Sequence, residues 1–213
     1  MCIRDRHYVA YPGEFTRVLE NARRFVREWL PQHGKILDVG SGRQYISRLL
    51  DELQRDVTVL SVEPDQRLSD TSLLAANSLT HVQCVPLCMR LDQLPACRTF
   101  DAIIVHRAIH EVAPARERPG VLADAIEKFL KPGGTIILSD PFFTTDKEDQ
   151  VAHAQGIMWE LIGHTHDYAE LAPPETLTIF LRGRFQTVLL EETEDELSEA
   201  TGGLLRTYWL MAR

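Results

Sequence analysis

The sequence lacks three features that would direct it to a membrane, an oxidising compartment or a nucleic acid. Its 213 residues contain no run of about 18 apolar residues, the length that a membrane-spanning helix needs. They contain four cysteines without a Cys-x-x-Cys pair, so no disulfide framework or zinc finger is indicated. The formal net charge of −8 opposes binding to phosphate backbones, which need a basic surface. We therefore expect a cytoplasmic protein with reduced thiols, no membrane contact and no nucleic-acid partner.

The N-terminal segment shows no apolar stretch of the kind found in secretory signals, so we expect no secretory leader. Residues 1–6, Met-Cys-Ile-Arg-Asp-Arg, resemble a translated sequencing adaptor, so we interpret them as a non-native leader. Helical periodicity over Glu14–Leu30 predicts an amphipathic helix closed by Pro31, which makes residues 7–34 an N-terminal helical cap. The hydrophobic content of 44% is enough for one core, so residues 1–213 are predicted to form a single domain.

The rest of the chain alternates apolar strand-like runs with helical patterns. Strands are predicted near residues 35–39, 57–62, 81–85, 100–105 and 134–139. Such alternation predicts a doubly wound parallel sheet that binds its ligand at the carboxyl ends of the strands. Lys-Pro-Gly-Gly at 131–134 is interpreted as a helix stop followed by a tight turn, a structural feature.

The most informative stretch is Ile36–Gln44, in which a strand-like run ends in a carboxylate and then in two glycines one residue apart. Gly40 and Gly42 would let the backbone approach a nucleotide-like ligand where a Cβ atom would intrude. A dinucleotide fingerprint requires a further glycine or alanine three residues later, and Tyr45 stands there. The pattern therefore disfavours NAD.

Two carboxylates suggest which ligand this loop binds. Asp38, at the end of an apolar strand, is costly to bury unless a cation or donors meet it, and S-adenosylmethionine carries an α-ammonium group. Glu63 ends the next apolar run, 21 residues after Gly42, where an acid can accept both ribose hydroxyl protons. Asp38 and Glu63 thus form a pair with separate tasks.

Four segments, in this order, resemble the class I S-adenosylmethionine-dependent methyltransferases, especially those acting on small molecules. They are ILDVGSG at 36–42, VEPD at 62–65, FDAIIVHRAIHEV at 100–112 and LKPGGTIILSD at 130–140. From about residue 30 onward, the resemblance implies a Rossmann-like α/β fold, a doubly wound, mostly parallel seven-stranded sheet with helices on both faces and a terminal antiparallel strand. It also implies cofactor contacts from Asp38, Gly40, Ser41, Gly42, Glu63, Pro64 and His106. Gln44 stands where the family often has a third glycine, and the resemblance assigns no adenine contact within residues 85–92.

Residues 141–184 are too many for a plain crossover between two strands. The family resemblance implies that this insertion covers the substrate, and we assign its polar side chains His164, His166 and Tyr168 to substrate binding. Imidazoles and carboxylates are also metal ligands, but His-x-His alone is a weak motif. We therefore predict no metal site.

Methyl transfer needs an aligned nucleophile, exclusion of water and, for a hydroxyl acceptor, a base. His110 follows the fourth strand and has Glu111 beside it, so the pair is interpreted as a base with an orienting acid. The alternatives are that His110 packs the following helix and that Glu111 only favours a helix N-terminus. For His106 we favour a pocket wall that contacts the cofactor through its backbone.

The sequence as a whole predicts methyl transfer from S-adenosylmethionine to a small-molecule acceptor, with oxygen the favoured acceptor atom and a monomer or homodimer as the assembly. Two other classes stay open. One is a noncatalytic S-adenosylmethionine-binding regulatory module. The other, which the missing glycine disfavours, is a Rossmann NAD-dependent oxidoreductase.

Overall fold

The computed structural model describes residues 16–42, 44–162 and 165–213. Its strands are β1 (His33–Val39), β2 (Asp56–Val62), β3 (Gln83–Leu87), β4 (Phe100–His106), β5 (Leu130–Phe143), β6 (Val188–Thr193) and β7 (Leu205–Ala212). Its helices are α1 (Thr16–Trp29), α2 (Tyr45–Glu52), α3 (Gln66–Ala76), α4 (Ile109–Val112), α5 (Arg118–Phe129), α6 (Glu148–Ile162), α7 (Glu175–Arg182) and α8 (Glu196–Ala200). A 3₁₀ turn at Leu91–Gln93 precedes β4. None of the helices in these ranges is both long and apolar enough to cross a membrane.

The seven strands form one sheet in the order β3-β2-β1-β4-β5-β7-β6. The pairs among β1 to β5 are all parallel, whereas β7 runs antiparallel to both β5 and β6. This arrangement confirms the predicted doubly wound, mostly parallel sheet with a terminal antiparallel strand. The chain leaves β1 in one direction toward β2 and returns on the other side as β4, so a crevice forms at the carboxyl ends of β1 and β4.

The central strands are apolar on both sides because helices cover both faces of the sheet. Leu37 and Ile103 belong to the core beneath α5 and α7, whereas Ile36 and Ile104 belong to the core beneath α1 and α2. All four side chains are fully buried. This rigid double core fixes the strand ends from which the site is built.

The Lys-Pro-Gly-Gly segment differs from its prediction in one respect. Helix α5 ends at Phe129 as expected, but residues 131–134 lie inside β5 rather than in a separate turn. They form a bulge, since pairing passes from Phe100–Leu130 directly to Ala102–Thr135. Lys131 secures the bulge by donating from Nζ to Asp101 at 2.6 Å.

The insertion after β5 has its own hydrophobic cluster. Val151, Ala154 and Met158 of α6 pack against Phe143 at the end of β5, together with Leu171. The insertion is therefore seated on the carboxyl end of β5, which brings its polar residues to the edge of the crevice.

Candidate active site

The loop after β1 is tied to β2 and to the start of α4. The amide of Gly40 donates to the Val62 carbonyl at 2.9 Å. Gly40 has φ +69°, and a Cβ atom there would lie 2.4 Å from Cβ of Ala108. Glycine at position 40 is thus required by packing against Ala108, a different reason from the ligand approach that the sequence suggested. Gly42 has φ +51° and nothing within 4 Å of its Cβ position, so the open side of the loop is here.

Gln44 stands where the family that the sequence resembles often has a third glycine. Its backbone has the left-handed conformation that glycine would adopt, with φ +62°. Its side chain is fully buried, and its Oε1 accepts hydrogen bonds from the hydroxyls of Ser47 and Ser61 and from the thiol of Cys84, each at 2.9 Å. These bonds join α2 to β2 and β3. These buried hydrogen bonds therefore offset the cost of the strained backbone at Gln44. The sequence pattern did not reveal them.

Asp38 is 1% exposed at the carboxyl end of β1. Among the residues that the structure describes, its Oδ2 atom has no hydrogen-bond partner. Burial, and secondly the charge of Glu63, raises the pKa of Asp38 to about 7. A cationic hydrogen-bond donor would favour the ionised form of such a buried carboxyl group. The ammonium group of S-adenosylmethionine is a donor of this kind.

Glu63 directly follows β2 and is held in place by two backbone amides. Its Oε2 accepts from Gly42 N at 3.1 Å, and its Oε1 accepts from Asp65 N at 3.0 Å. Carboxylate oxygens accept hydrogen bonds, which is the chemistry that the hydroxyls of a ribose require. Pro64 follows at an exposed position beside it.

The ring of His106 lies in an aromatic stack at the end of β4. Its centroid is 5.3 Å from that of Tyr45 and 5.2 Å from that of Trp209, which itself stacks on Phe25 at 4.7 Å. Burial, and secondly the charge of Arg107, lowers the pKa of His106 to about 3. The imidazole is therefore neutral at physiological pH, and its packing agrees with a wall residue rather than a base.

His110 is the imidazole with a carboxylate partner. Its Nδ1 lies 2.7 Å from Oδ1 and 2.9 Å from Oδ2 of Asp140, and its backbone amide donates to the same carboxylate at 3.1 Å. Burial lowers the pKa of His110, whereas the charge and hydrogen bond of Asp140 and the charge of Glu111 raise it, and the net shift is upward. Glu111 lies on the other side of the ring, with Oε1 3.8 Å from Nε2.

Asp140 is the residue that sequence reasoning did not place in this pair. It lies on β5, is 1% exposed and reaches His110 across 30 residues of sequence. The available signal was its position directly after the predicted fifth strand. Its contact with the ring of His110 depends on the pairing of β4 with β5, which the sequence pattern leaves open.

The three residues assigned to substrate binding have different surroundings. The ring of His166 packs edge-on against that of His110, with the two centroids 4.6 Å apart. The Nδ1 atom of His166 lies 3.3 Å from Oε2 of Glu170. Tyr168 packs against Phe143, with ring centroids 6.2 Å apart, in the hydrophobic cluster of the insertion. His164 lies outside the described residues. The structure thus brings His166 to the predicted base, while Tyr168 lies against the core.

The crevice between β1 and β4 therefore combines a buried carboxylate suited to an ammonium group, a second carboxylate suited to a ribose, and a hydrogen-bonded imidazole beyond β4. The doubly wound sheet is the fold of the class I S-adenosylmethionine-dependent methyltransferases. The family model described as "Methyltransferase domain" matches residues 11–166, most of the chain. The chain belongs to this family, which places it with enzymes of methyl transfer and not with nicotinamide-dependent oxidoreductases.

Solved structures agree in fold at low sequence identity. A methyltransferase from Aquifex aeolicus is 14% identical with a TM-score of 0.56, over 94% of this chain and 91% of its own. One from Methanosarcina mazei is 17% identical with a TM-score of 0.63, over 89% and 96%. The phosphoethanolamine N-methyltransferase 2 of Haemonchus contortus, solved with phosphomonomethylethanolamine and S-adenosylhomocysteine, is 13% identical with a TM-score of 0.66, over 91% and 52%. No curated protein sequence matches this chain.

Proposed function

We propose that this enzyme methylates a hydroxyl group of a small-molecule acceptor, with His110 as the general base. The observation that carries this proposal is the contact between His110 and the buried carboxylate of Asp140 beside the cofactor crevice. When bound, S-adenosylmethionine supplies a methyl group already activated on its sulfonium. What this chain must add is alignment, exclusion of water and removal of the acceptor proton.

Asp38 and Glu63 would hold the two ends of the cofactor that carry an ammonium group and a ribose. Ser41 and Gly42 form the loop between these carboxylates, and the backbone of His106 borders the same crevice. With the cofactor fixed by these groups, its methyl group would face the residues that follow β4.

His110 is oriented for proton transfer by Asp140. A carboxylate at Nδ1 fixes the tautomer that carries its proton there, which leaves the Nε2 lone pair to accept the proton of an acceptor hydroxyl. Asp140 then stabilises the imidazolium that forms. Glu111 lies on the Nε2 side, where its charge favours the protonated ring as well. We therefore assign the orienting role to Asp140 and a supporting one to Glu111.

The size of the acceptor is limited by the burial of this base. The side chain of His110 is 9% exposed, so a bulky macromolecular surface would not reach Nε2 without opening the site. Residues 141–184 would cover the acceptor, with His166 touching the base and Tyr168 anchoring the cover to Phe143. Of the predicted helical cap at 7–34, residues 7–15 lie outside the described residues, and α1 packs on the sheet through Ala22, Phe25 and Val26.

A methyl-acceptor screen on the full-length protein tests the proposal. Hydroxyl, amine and activated-carbon acceptors of low molecular weight are offered with S-adenosylmethionine, and products are identified by mass. The expected result is methylation of a hydroxyl compound by the wild type and by His81→Ala, whose imidazole is exposed, with strong loss in His110→Ala. Cofactor binding without any turnover would instead indicate a noncatalytic module, and an N-methylated or C-methylated product would overturn the assignment of oxygen.

A further inference from the structure

Three potential metal ligands meet where the insertion contacts the end of β4. His110, Glu111 and His166 each offer one ligand atom, and these atoms all lie within 4.8 Å of one another. His110 and Glu111 belong to α4, whereas His166 comes from the insertion, so the cluster forms only through the tertiary fold. The sequence motif His-x-His, which pairs His166 with a neighbour in the chain, does not predict this combination.

Both imidazoles are already held through Nδ1 by a further carboxylate. Asp140 lies 2.7 Å from Nδ1 of His110, and Glu170 lies 3.3 Å from Nδ1 of His166. Metal-binding histidines have this arrangement, because a carboxylate on one ring nitrogen fixes the tautomer and raises the basicity of the other. Here it directs the lone pair of each ring to Nε2.

We propose that Nε2 of His110, Nε2 of His166 and the carboxylate of Glu111 bind a divalent transition-metal ion. Two imidazoles and one carboxylate favour zinc and its neighbours over magnesium or calcium, which prefer oxygen ligands alone. Arg107 lies close enough to oppose a cation, but the carboxylates of Glu111, Asp140 and Glu170 outnumber it.

Metal binding requires the three ligand atoms, now up to 4.8 Å apart, to draw together. Ligand atoms around a tetrahedral zinc ion are about 3.3 Å apart, since each bond is about 2.0–2.1 Å long. His110 Nε2 and Glu111 Oε1 are 3.8 Å apart, and the side chain of Glu111 is 49% exposed, so rotation of that side chain can close the gap. Waters or an acceptor group would complete the coordination.

The ion and the acceptor proton would use the same lone pair of His110. Occupancy should therefore suppress methyl transfer, and this consequence, unlike the binding itself, rests on the proposed function. Metal binding is measured without cofactor or acceptor, so failure of the metal site and failure of the proposed chemistry appear in separate experiments.

Cobalt(II) serves as the probe, because its visible absorption reports both stoichiometry and coordination. Metal-free full-length protein is titrated with Co²⁺, and Zn²⁺ is then added to displace it. The wild type should bind one ion per chain without a thiolate charge-transfer band. Glu111→Gln and His166→Ala should weaken binding at least tenfold, and Asp140→Asn should weaken it about 10- to 100-fold through His110. His81→Ala, which changes an exposed imidazole elsewhere, should bind as the wild type does.

Thermal melting and S-adenosylmethionine calorimetry on each variant show that it is folded. Absence of saturable Co²⁺ binding in the wild type would overturn the proposal. So would unchanged binding in the folded Glu111→Gln variant. Binding that is lost in His164→Ala but retained in His110→Ala would overturn it as well, because the ion would then lie on the His-x-His motif.

Discussion

Replacing Asp38 by Asn should stabilise the cofactor-free protein at alkaline pH while it weakens cofactor binding. Asp38 is 1% exposed, and burial followed by the charge of Glu63 raises its pKa from 3.8 to about 7. A carboxyl group whose pKa is higher in the folded than in the unfolded state stabilises the fold in its protonated form. That contribution is complete below about pH 4 and is lost as the pH rises through about 7.

The expected size follows from the pKa difference. A shift of about three pKa units corresponds to about 4 kcal/mol in the free energy of unfolding, lost between about pH 4 and pH 8. Asn resembles the protonated acid and does not titrate, so the variant should keep that stability at pH 8. At pH 5 the difference between the two proteins should shrink to about 2 kcal/mol, since Asp38 is then protonated in the folded state but still mostly ionised in the unfolded state.

In cofactor affinity the wild type should exceed Asp38→Asn, the opposite of their order in stability. An ammonium group paired with a buried carboxylate contributes about 2–5 kcal/mol relative to the truncated pair, which is about 30- to 5,000-fold in Kd. At pH 8, Asp38→Asn should therefore bind S-adenosylmethionine much more weakly than the wild type, although it is the more stable apoprotein.

Two assays decide this prediction. Urea unfolding of the apoprotein at pH 5 and pH 8 gives the stability difference, and calorimetry at pH 8 gives the affinity. Glu191→Gln, which changes a carboxylate on β6 away from the crevice, is the matched control. If Asp38→Asn is no more stable than the wild type at pH 8, the pKa of Asp38 is not raised by burial, and if the variant binds the cofactor with unchanged affinity, Asp38 does not hold the ammonium group.

Four further predictions concern the rest of the site. Glu63→Ala should weaken cofactor binding by about 1–3 kcal/mol in calorimetry, because ribose hydroxyls lose their acceptor; unchanged affinity would remove Glu63 from the site. Gly40→Ala should lower the unfolding free energy by about 1–3 kcal/mol through contact with Ala108, and Ala108→Gly in the same chain should recover part of that loss; no recovery would contradict the packing reason. His110→Ala should slow single-turnover methyl transfer about 100- to 10,000-fold while the cofactor still binds; a retained rate would leave proximity and desolvation as the sources of catalysis. Chelators should not abolish turnover, since no step requires a metal, and a complete loss that added zinc restores would contradict this.

The sequence predicted the positions of the central strands and the doubly wound sheet because apolar runs and the glycine loop are local signals. The runs ending in Val39 and Val62 became β1 and β2 with the expected bounds to within two residues. The fifth strand was harder to bound, since the bulge at 131–134 depends on the side chain of Asp101 in a neighbouring strand. A pattern within one segment carries no information about such a contact.

The same distinction applies to the site. Asp38 and Glu63 could be proposed from the sequence because each stands at the carboxyl end of an apolar run. The partner of His110 could not be read from its surroundings in the chain: Glu111 is adjacent in sequence, but the pairing of β4 with β5 brings Asp140 closer to the ring. Gln44 illustrates a different limit, since its left-handed backbone is supported by side chains from three other elements.

Transfer of an isotopically labelled methyl group tests the central claim most directly. Full-length enzyme is incubated with S-adenosylmethionine labelled in its methyl group and with the hydroxyl acceptor found in the screen, and the product is analysed by mass and NMR. We expect one label per product, bonded to oxygen, formed by the wild type and nearly absent with His110→Ala. A label bonded to nitrogen or carbon, or an undiminished rate of labelling with His110→Ala, would contradict the role of His110 as base for a hydroxyl acceptor.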